Sequence, residues 1–442
     1  GGAIYNSGSS DVKIINSIVY GNNSGIQNVS STPVISYSLV QGLAADATNH
    51  NLDGATNPLF VSATDYQLQI SSPVLNKGSN SYYAGGQTPN LSAITTDLAN
   101  NPRFYGTVDL GAYEFRIPAV VPNVIVYVSQ NGAGTKDGSS WANATFDLQQ
   151  AIQKSSDKVF VAGGTYRPIY PADTDFTGTY LMDLGNRKNA FVLRKDVKIY
   201  GGFNATMPEP SLDLRDTTAA SVHKSILTGD FNGDDGANFA NNTENACHVL
   251  IAAGDVGSAA INGFTVTAGN ANVLNDGVNV NGEGFYSSWG GGLVIQNSRP
   301  LLSNLRFIGN SGEMGGGIFI GNDNNLKIKN TEISGNQSPS GGGGVLNGNR
   351  STLELDQVII SGNKSGGFGG GIYSSEVSYL NIQHSTISDN IAASHGGGIY
   401  NSDYHSGLSV ANTVISNNIT TEYGGGIYIG GGTATLDQVT IK

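Results

Sequence analysis

The sequence predicts an all-β fold, a right-handed parallel β-helix, and three observations predict it. Glycine triplets recur at Gly290–Gly292, Gly315–Gly317, Gly342–Gly344, Gly369–Gly371, Gly396–Gly398 and Gly424–Gly426, in steps of 25, 27, 27, 27 and 28 residues. Between them an Ile-x-x-Asn motif returns, at Ile333 and Asn336, Ile360 and Asn363, Ile387 and Asn390, Ile415 and Asn418. The remaining stretches are short and alternate apolar with polar, as at Leu326 and Ile328, Leu353 and Leu355, Leu408 and Val410.

Each observation has a physical consequence. Alternation with period two marks a half-buried strand. Glycine and asparagine supply the left-handed turns that such short strands need. A unit of 27 residues built this way has no room for a crossover helix and cannot bury its own apolar face. It can stack on a copy of itself, with parallel strands about 4.8 Å apart. The hand follows from the rule for parallel crossovers. A helical alternative fails, because glycine costs about 1 kcal/mol per residue inside a helix.

Composition removes other classes. Of 442 residues, 62 are Gly and 13 are Pro, with no Gly-X-Y period, which excludes collagen. No apolar run is long enough for a transmembrane helix. One cysteine, Cys247, allows neither an internal disulfide framework nor a Cys-rich zinc site. With 22 basic against 34 acidic residues the net charge is −12, which argues against nucleic acid as a partner.

The chain is expected to hold two tandem modules. Residues 1–117 read as the C-terminal coils and closing cap of a first β-helix, 118–123 as a short stiff linker containing Pro118 and Pro122, and 124–442 as the N-terminal cap and coils of a second. The motif Gly1, Gly2, Ile4, Tyr5 already belongs to a coil, and Leu436–Ile441 aligns with Leu355–Ile360. Both modules therefore read as truncated, an excerpt from a longer array. Residues Thr145–Ser155 read as a helix capped by Asp147 or Thr145, its apolar side Phe146, Leu148, Ala151 and Ile152. A short helix there would cover the open end of the coils.

Several stretches resemble a known group. The glycine and Ile-x-x-Asn repeat is similar to those of pectin-lyase-like right-handed β-helices and polymorphic outer-membrane proteins. The segment Asn57–Phe115, with Val108, Asp109, Gly111, Tyr113 and Glu114, resembles the choice-of-anchor closing region of secreted β-helix proteins of Bacteroidetes-type bacteria. Tyr127–Thr135, Asp137–Ala142, Val161–Pro168 and Ile199–Phe203 resemble the start of such a module. The resemblance implies export to the bacterial cell surface, a type IX route, and adhesin-like arrays that include gliding adhesins.

Candidate chemistry is sparse. Asp230, Asn232, Asp234 and Asp235 form an acidic turn that could converge on calcium, although Asp235 replaces the expected glycine and Asn241 the expected twelfth-position glutamate. The alternative is a plain turn. Phe319, Tyr373, Tyr400 and Tyr428 are expected to form an outward file, interrupted by Leu346, that could hold sugar rings or a partner. The alternative is a self-supporting ladder, worth about 0.2–1 kcal/mol per pair. A second column, Trp289, Met314, Gly341, Phe368, His395 and Tyr423, is expected to be buried at a corner. Acidic residues from Glu313 onward, among them Asp356, Glu376, Asp403 and Asp437, scatter over coil positions, as do His384, His395 and His405, which read as solvated. Arg103 reads as a structural ion pair with nearby carboxylates, and Cys247 as a buried thiol. No catalytic set emerges.

The expected function is thus a non-catalytic, extracellular surface repeat protein, an adhesin or stalk. Its expected partners are glycans, surfaces or neighbouring modules, and it requires no cofactor, calcium being the one candidate. A polysaccharide lyase or glycoside hydrolase of the pectin-lyase-like class, and a purely structural spacer, stay open as alternatives.

Overall fold

The computed structural model describes residues 2–442 except 9, 117–118, 178–180, 208–210, 322, 349, 376 and 403–404. Gly1, Pro118, Glu376 and Asp403, named above, lie outside the described residues. The chain divides into two compact units, 1–117 and 118–442.

The larger unit is a right-handed parallel β-helix. Among the described residues, three parallel sheets of seventeen, eight and six strands run along it. Residues one coil apart pair directly, for example Ile318 with Val345, then Ile372, Ile399 and Ile427. The seventeen-stranded sheet bends within each coil. Tyr379–Gln383 and Thr386–Ser388 are its two segments in one coil, separated by His384 at φ 51°. Inward residues such as Leu353, Leu355, Val358 and Ile360 are fully buried, and each contributes about 1.5–3 kcal/mol through apolar burial.

The Ile-x-x-Asn motif builds a file of asparagine amides inside the wall. The Nδ2 groups of Asn310, Asn336, Asn363 and Asn390 donate to Oδ1 of the next asparagine along, at 3.1, 2.9, 2.9 and 2.9 Å. Each Oδ1 also accepts the backbone N–H of the preceding asparagine, as Asn390 does from Asn363 at 3.0 Å. The second Nδ2 proton goes back to a carbonyl, Ile333 in the case of Asn363, at 2.9 Å. Every polar atom of the buried amide is satisfied, as burial requires.

The glycine triplets form the adjoining corner, and Gly342–Gly344 shows why no other residue fits. Gly342 sits at φ +66°. A Cβ on Gly343 would lie 2.4 Å from the carbonyl oxygen of Lys364, and one on Gly344 would lie 2.6 Å from that of Gly371. The first glycine is set by conformation and the other two by the approach of the next coil.

The helix at the start of this unit is shorter than the sequence suggests, Leu148–Lys154. Asp147 is its N-cap, accepting from the Gln150 N–H at 2.8 Å. The Tyr170 hydroxyl donates to the same carboxylate at 2.6 Å. Leu148, Ala151 and Ile152 are buried in the continuous core of the coils.

The smaller unit has two coils in which Ile4–Ser7 pairs with Ile26–Val29, Lys13–Ile15 with Val34–Ser36, and Ile18–Val19 with Leu39–Val40. An irregular segment follows, with Leu68, Val74, Leu75 and Leu110 packed on Leu39. Its polar centre is Arg103, buried, 3.7 Å from Glu114 and donating to the carbonyls of Asp109 and Gly111 at 3.2 and 3.0 Å and to the Tyr83 hydroxyl at 3.1 Å. Asp109 accepts the N–H groups of Asn76 and Phe115, both at 2.6 Å. Burial works against the charge of Asp97, but the N–H groups of Glu114, Asn101 and Ala99 hold its carboxyl below the usual range.

One guanidinium cannot balance this many buried carboxylates. Burial, with Asp109 beside it, pushes Glu114 up to about 8, and burial pushes Asp109 up to about 6. Raised carboxyl pKa values mean that the folded unit keeps protons the unfolded chain releases. The stabilisation is therefore complete at acid pH and declines as pH rises toward the folded values. Hydrogen exchange on the intact chain is expected to show residues 1–117 losing protection between about pH 5 and about pH 8.5, after correction for intrinsic exchange rates. Glu114→Gln should flatten that dependence; protection that rises with pH would contradict the assignment.

Candidate functional site

The most developed surface feature begins under a cover and emerges from it. On the eight-stranded sheet one outward column runs Val192, Ile251, Val294, Phe319, Leu346, Tyr373, Tyr400, Tyr428. An antiparallel hairpin, Gly277–Val280 with Glu283–Tyr286, packs Val278, Val280 and Phe285 against its first half. Phe319 is accordingly buried and stacked on Trp289, with centroids 4.5 Å apart. It does not belong to an exposed file as the spacing had suggested, because the hairpin is an insertion that the repeat does not announce. Tyr373, Tyr400 and Tyr428 lie beyond the cover and are half-buried.

The second column also differs from expectation. Met314 and Tyr423 are exposed, the latter at 68%, and the column packs beside the first instead of sinking into a corner. Phe368 lies 4.7 Å from Tyr400, and His395 lies 4.6 Å from Tyr428. Tyr400 and Tyr428 stack in parallel at 5.1 Å, and Tyr373 meets Tyr400 at 5.2 Å. Burial, then the neighbouring Tyr373 and Tyr428, push the Tyr400 phenol up. A ring stacked on one neighbour and flanked by a tilted one offers a ligand its edge and hydroxyl more readily than its face.

The acidic turn follows the strand Ser225–Thr228. One carboxylate oxygen from each of Asp230, Asp234 and Glu244 lies within 4.8 Å of the others. Glu244 was missing from the sequence set. Burial, with Asp234 and Asp230 beside it, raises its carboxyl, and its Oε1 is buried without a hydrogen-bond partner among the described residues. Asp235 is diverted, accepting from Asn245 Nδ2 at 2.8 Å, and Asn232 is exposed on the turn. Arg167 Nε braces the turn through the Asp230 carbonyl at 2.6 Å. These three carboxylates are hard oxygen donors of the kind calcium takes.

Several carboxylates on the coils are committed to partners one coil away. Arg306 meets Glu332 at 2.8 Å, Lys327 meets Glu354 at 3.4 Å, and Arg350 Nε meets Asp323 at 2.7 Å. Asp356 lies between Lys329 at 3.7 Å and His384 at 3.1 Å, and His395 meets Glu422 at 2.9 Å. His384 is exposed, as expected, and faces Asp356, whereas His395 is largely covered and paired with Glu422. Asp356 and Asp437 share a column but are separated by Gln383 and Ala411. Cys247 is buried, and burial pushes its thiol up, away from the reactive thiolate.

The family described as "Right handed beta helix region" matches residues 270–442. Comparison with curated proteins returns no match. Among solved structures, the pectate lyase Pel9A aligns over 72% of this chain and 68% of its own at 14% identity, with a TM-score of 0.41. A rhamnogalacturonan lyase aligns over 72% of this chain and 86% of its own at 12% identity, with a TM-score of 0.31. The chain is a right-handed parallel β-helix repeat protein, and the strand register above defines it as such.

Mutually repelling carboxylates gain from a cation between them. Millimolar calcium is expected to raise the melting temperature over that in chelator, and Glu244→Gln to shrink the shift. Superimposable melting curves would leave the turn a structural acidic loop.

Proposed function

We propose that this chain is part of a non-catalytic extracellular scaffold, a surface adhesin or stalk, that meets glycans or neighbouring surfaces along its flank. The observation that carries this is the uncovered part of the outward column. There Tyr373, Tyr400 and Tyr428, with Phe368, His395 and Tyr423, gather rings from successive coils on one face. Such a surface is extended and repetitive, and suits a polymeric partner better than a small substrate. The pairing of coil carboxylates with Lys, Arg or His across coils supports a structural use of those charges.

A catalytic alternative, polysaccharide cleavage, draws on one observation, the Asp230, Asp234 and Glu244 group. One experiment separates the two. The purified chain is incubated with a panel of acidic and neutral polysaccharides, and binding and chain length are followed together. Retention without cleavage is expected, with affinity falling about tenfold or more when Tyr373, Tyr400 and Tyr428 are changed to Ala. Cleavage abolished by a single carboxylate change would replace the scaffold by an enzyme. Retention unaffected by the tyrosine changes would remove the aromatic file from the function.

A further inference from the structure

A cleft of about 240 Å³ lies at the covered end of the same unit, where the helix, the Pro171–Phe176 loop and the tip of the hairpin meet over the strand Phe191–Val192. Its walls are fixed by hydrogen bonds that leave their facing groups unused. Gln149 brackets the Val192 backbone, accepting its N–H at 2.8 Å and donating to its carbonyl at 3.1 Å. The loop is pinned where Ala172 N–H donates to the Lys188 carbonyl at 3.0 Å and the Thr174 hydroxyl to the Pro171 carbonyl at 2.6 Å. Asn281 Nδ2 ties the hairpin tip to the Ala253 carbonyl at 3.0 Å. By contrast the side chains of Gln153, Asp173 and Asn279, all lining the cleft, make no hydrogen bond to the described residues. The surface of the lining is mainly polar; Val192 and Val280 are buried behind it, and the Phe176 ring is partly exposed.

We infer that this cleft binds a single uncharged sugar ring, the end residue of a glycan chain. Size sets the ring count, since sites for drug-sized ligands run to roughly 300–1,000 Å³ and this one is smaller. The mixture sets the class. Amide and carboxylate groups that can donate to and accept from sugar hydroxyls dominate the lining, with the Phe176 ring as the aromatic group among them. Charge sets the preference, because among the described lining residues Asp173 is the one ionisable side chain, and the Arg194 guanidinium beside Gln153 is engaged by the Gln153 and Ser155 carbonyls at 2.6 and 2.9 Å. The site shares a ligand class with the proposed flank surface but none of its residues.

Ligand-observed NMR titration of the intact chain tests this with the methyl glycosides of glucose, galactose, mannose and N-acetylglucosamine, and with methyl glucuronide as the charged probe. At least one neutral glycoside is expected to bind with a dissociation constant on the order of 1 mM. Asp173→Ala and Asn279→Ala, whose side chains are exposed and make no hydrogen bond to the described residues, should each weaken it about tenfold. Tyr400→Ala should leave it unchanged. No binding by any neutral glycoside, or equal binding by methyl glucuronide, would overturn the site. So would binding that survives the two cleft changes, and binding lost only with Tyr400→Ala would move the sugar to the flank. Failure here leaves the flank surface standing, because that surface is tested by polymer retention and by different residues.

Discussion

A buried primary amide has two protons to place and an oxygen with two lone pairs to fill. In this solenoid the partners for both come from the coils before and after it. The file from Asn310 to Asn418 satisfies that demand only while successive coils stay in vertical register. A slip of one residue would carry the amides to the other side of the wall and leave their partners unpaired. The file thus acts as a register pin, and the glycine corner beside it works toward the same end. The corner lets backbone approach backbone so closely that side chains are excluded.

Fixed register has a consequence for the outside of the molecule. Whatever residue type a coil position carries is repeated along the axis at the strand spacing. Opposite charges one period apart become cross-coil ion pairs, as with Lys327 and Glu354 or Arg350 and Asp323. Exposed pairs of this kind add little stability each, roughly 0–1 kcal/mol, but they disfavour shifted stackings that would set like charges together. Aromatic residues become ladders by the same rule. The fold therefore turns a repeated sequence choice into an extended surface, while its single departures from the repeat produce local features. The hairpin over Val294 and the loop at Pro171 are two such departures, and together they enclose the cleft.

Legibility in the sequence followed that division. The β-helix was readable because the glycine and asparagine positions recur with nearly constant spacing, and inward residues such as Leu353 and Leu355 alternate as strands must. The pairing of His384 with Asp356 carries a signal of the same kind, a separation of 28 residues, close to one period. Glu244 had no such signal, since it reaches the acidic turn through an irregular loop ten residues beyond Asp234. The burial of Phe319 was equally hidden, because the residues that cover it, Val278, Val280 and Phe285, belong to an insertion. Periodicity reveals what the coils repeat, and is silent about what folds over them.

The most direct measurement is the unfolding midpoint of the chain with Asn363 replaced by Asp. That change keeps the shape of the side chain but removes both donors, and sets a carboxylate against the oxygens of Asn390 and Ile333. If the amide file holds the coils together, the variant loses at least about 1–3 kcal/mol for each buried group left unpaired, and its denaturant midpoint falls accordingly. A midpoint indistinguishable from that of the parent chain would show that the coils are held in register by something else.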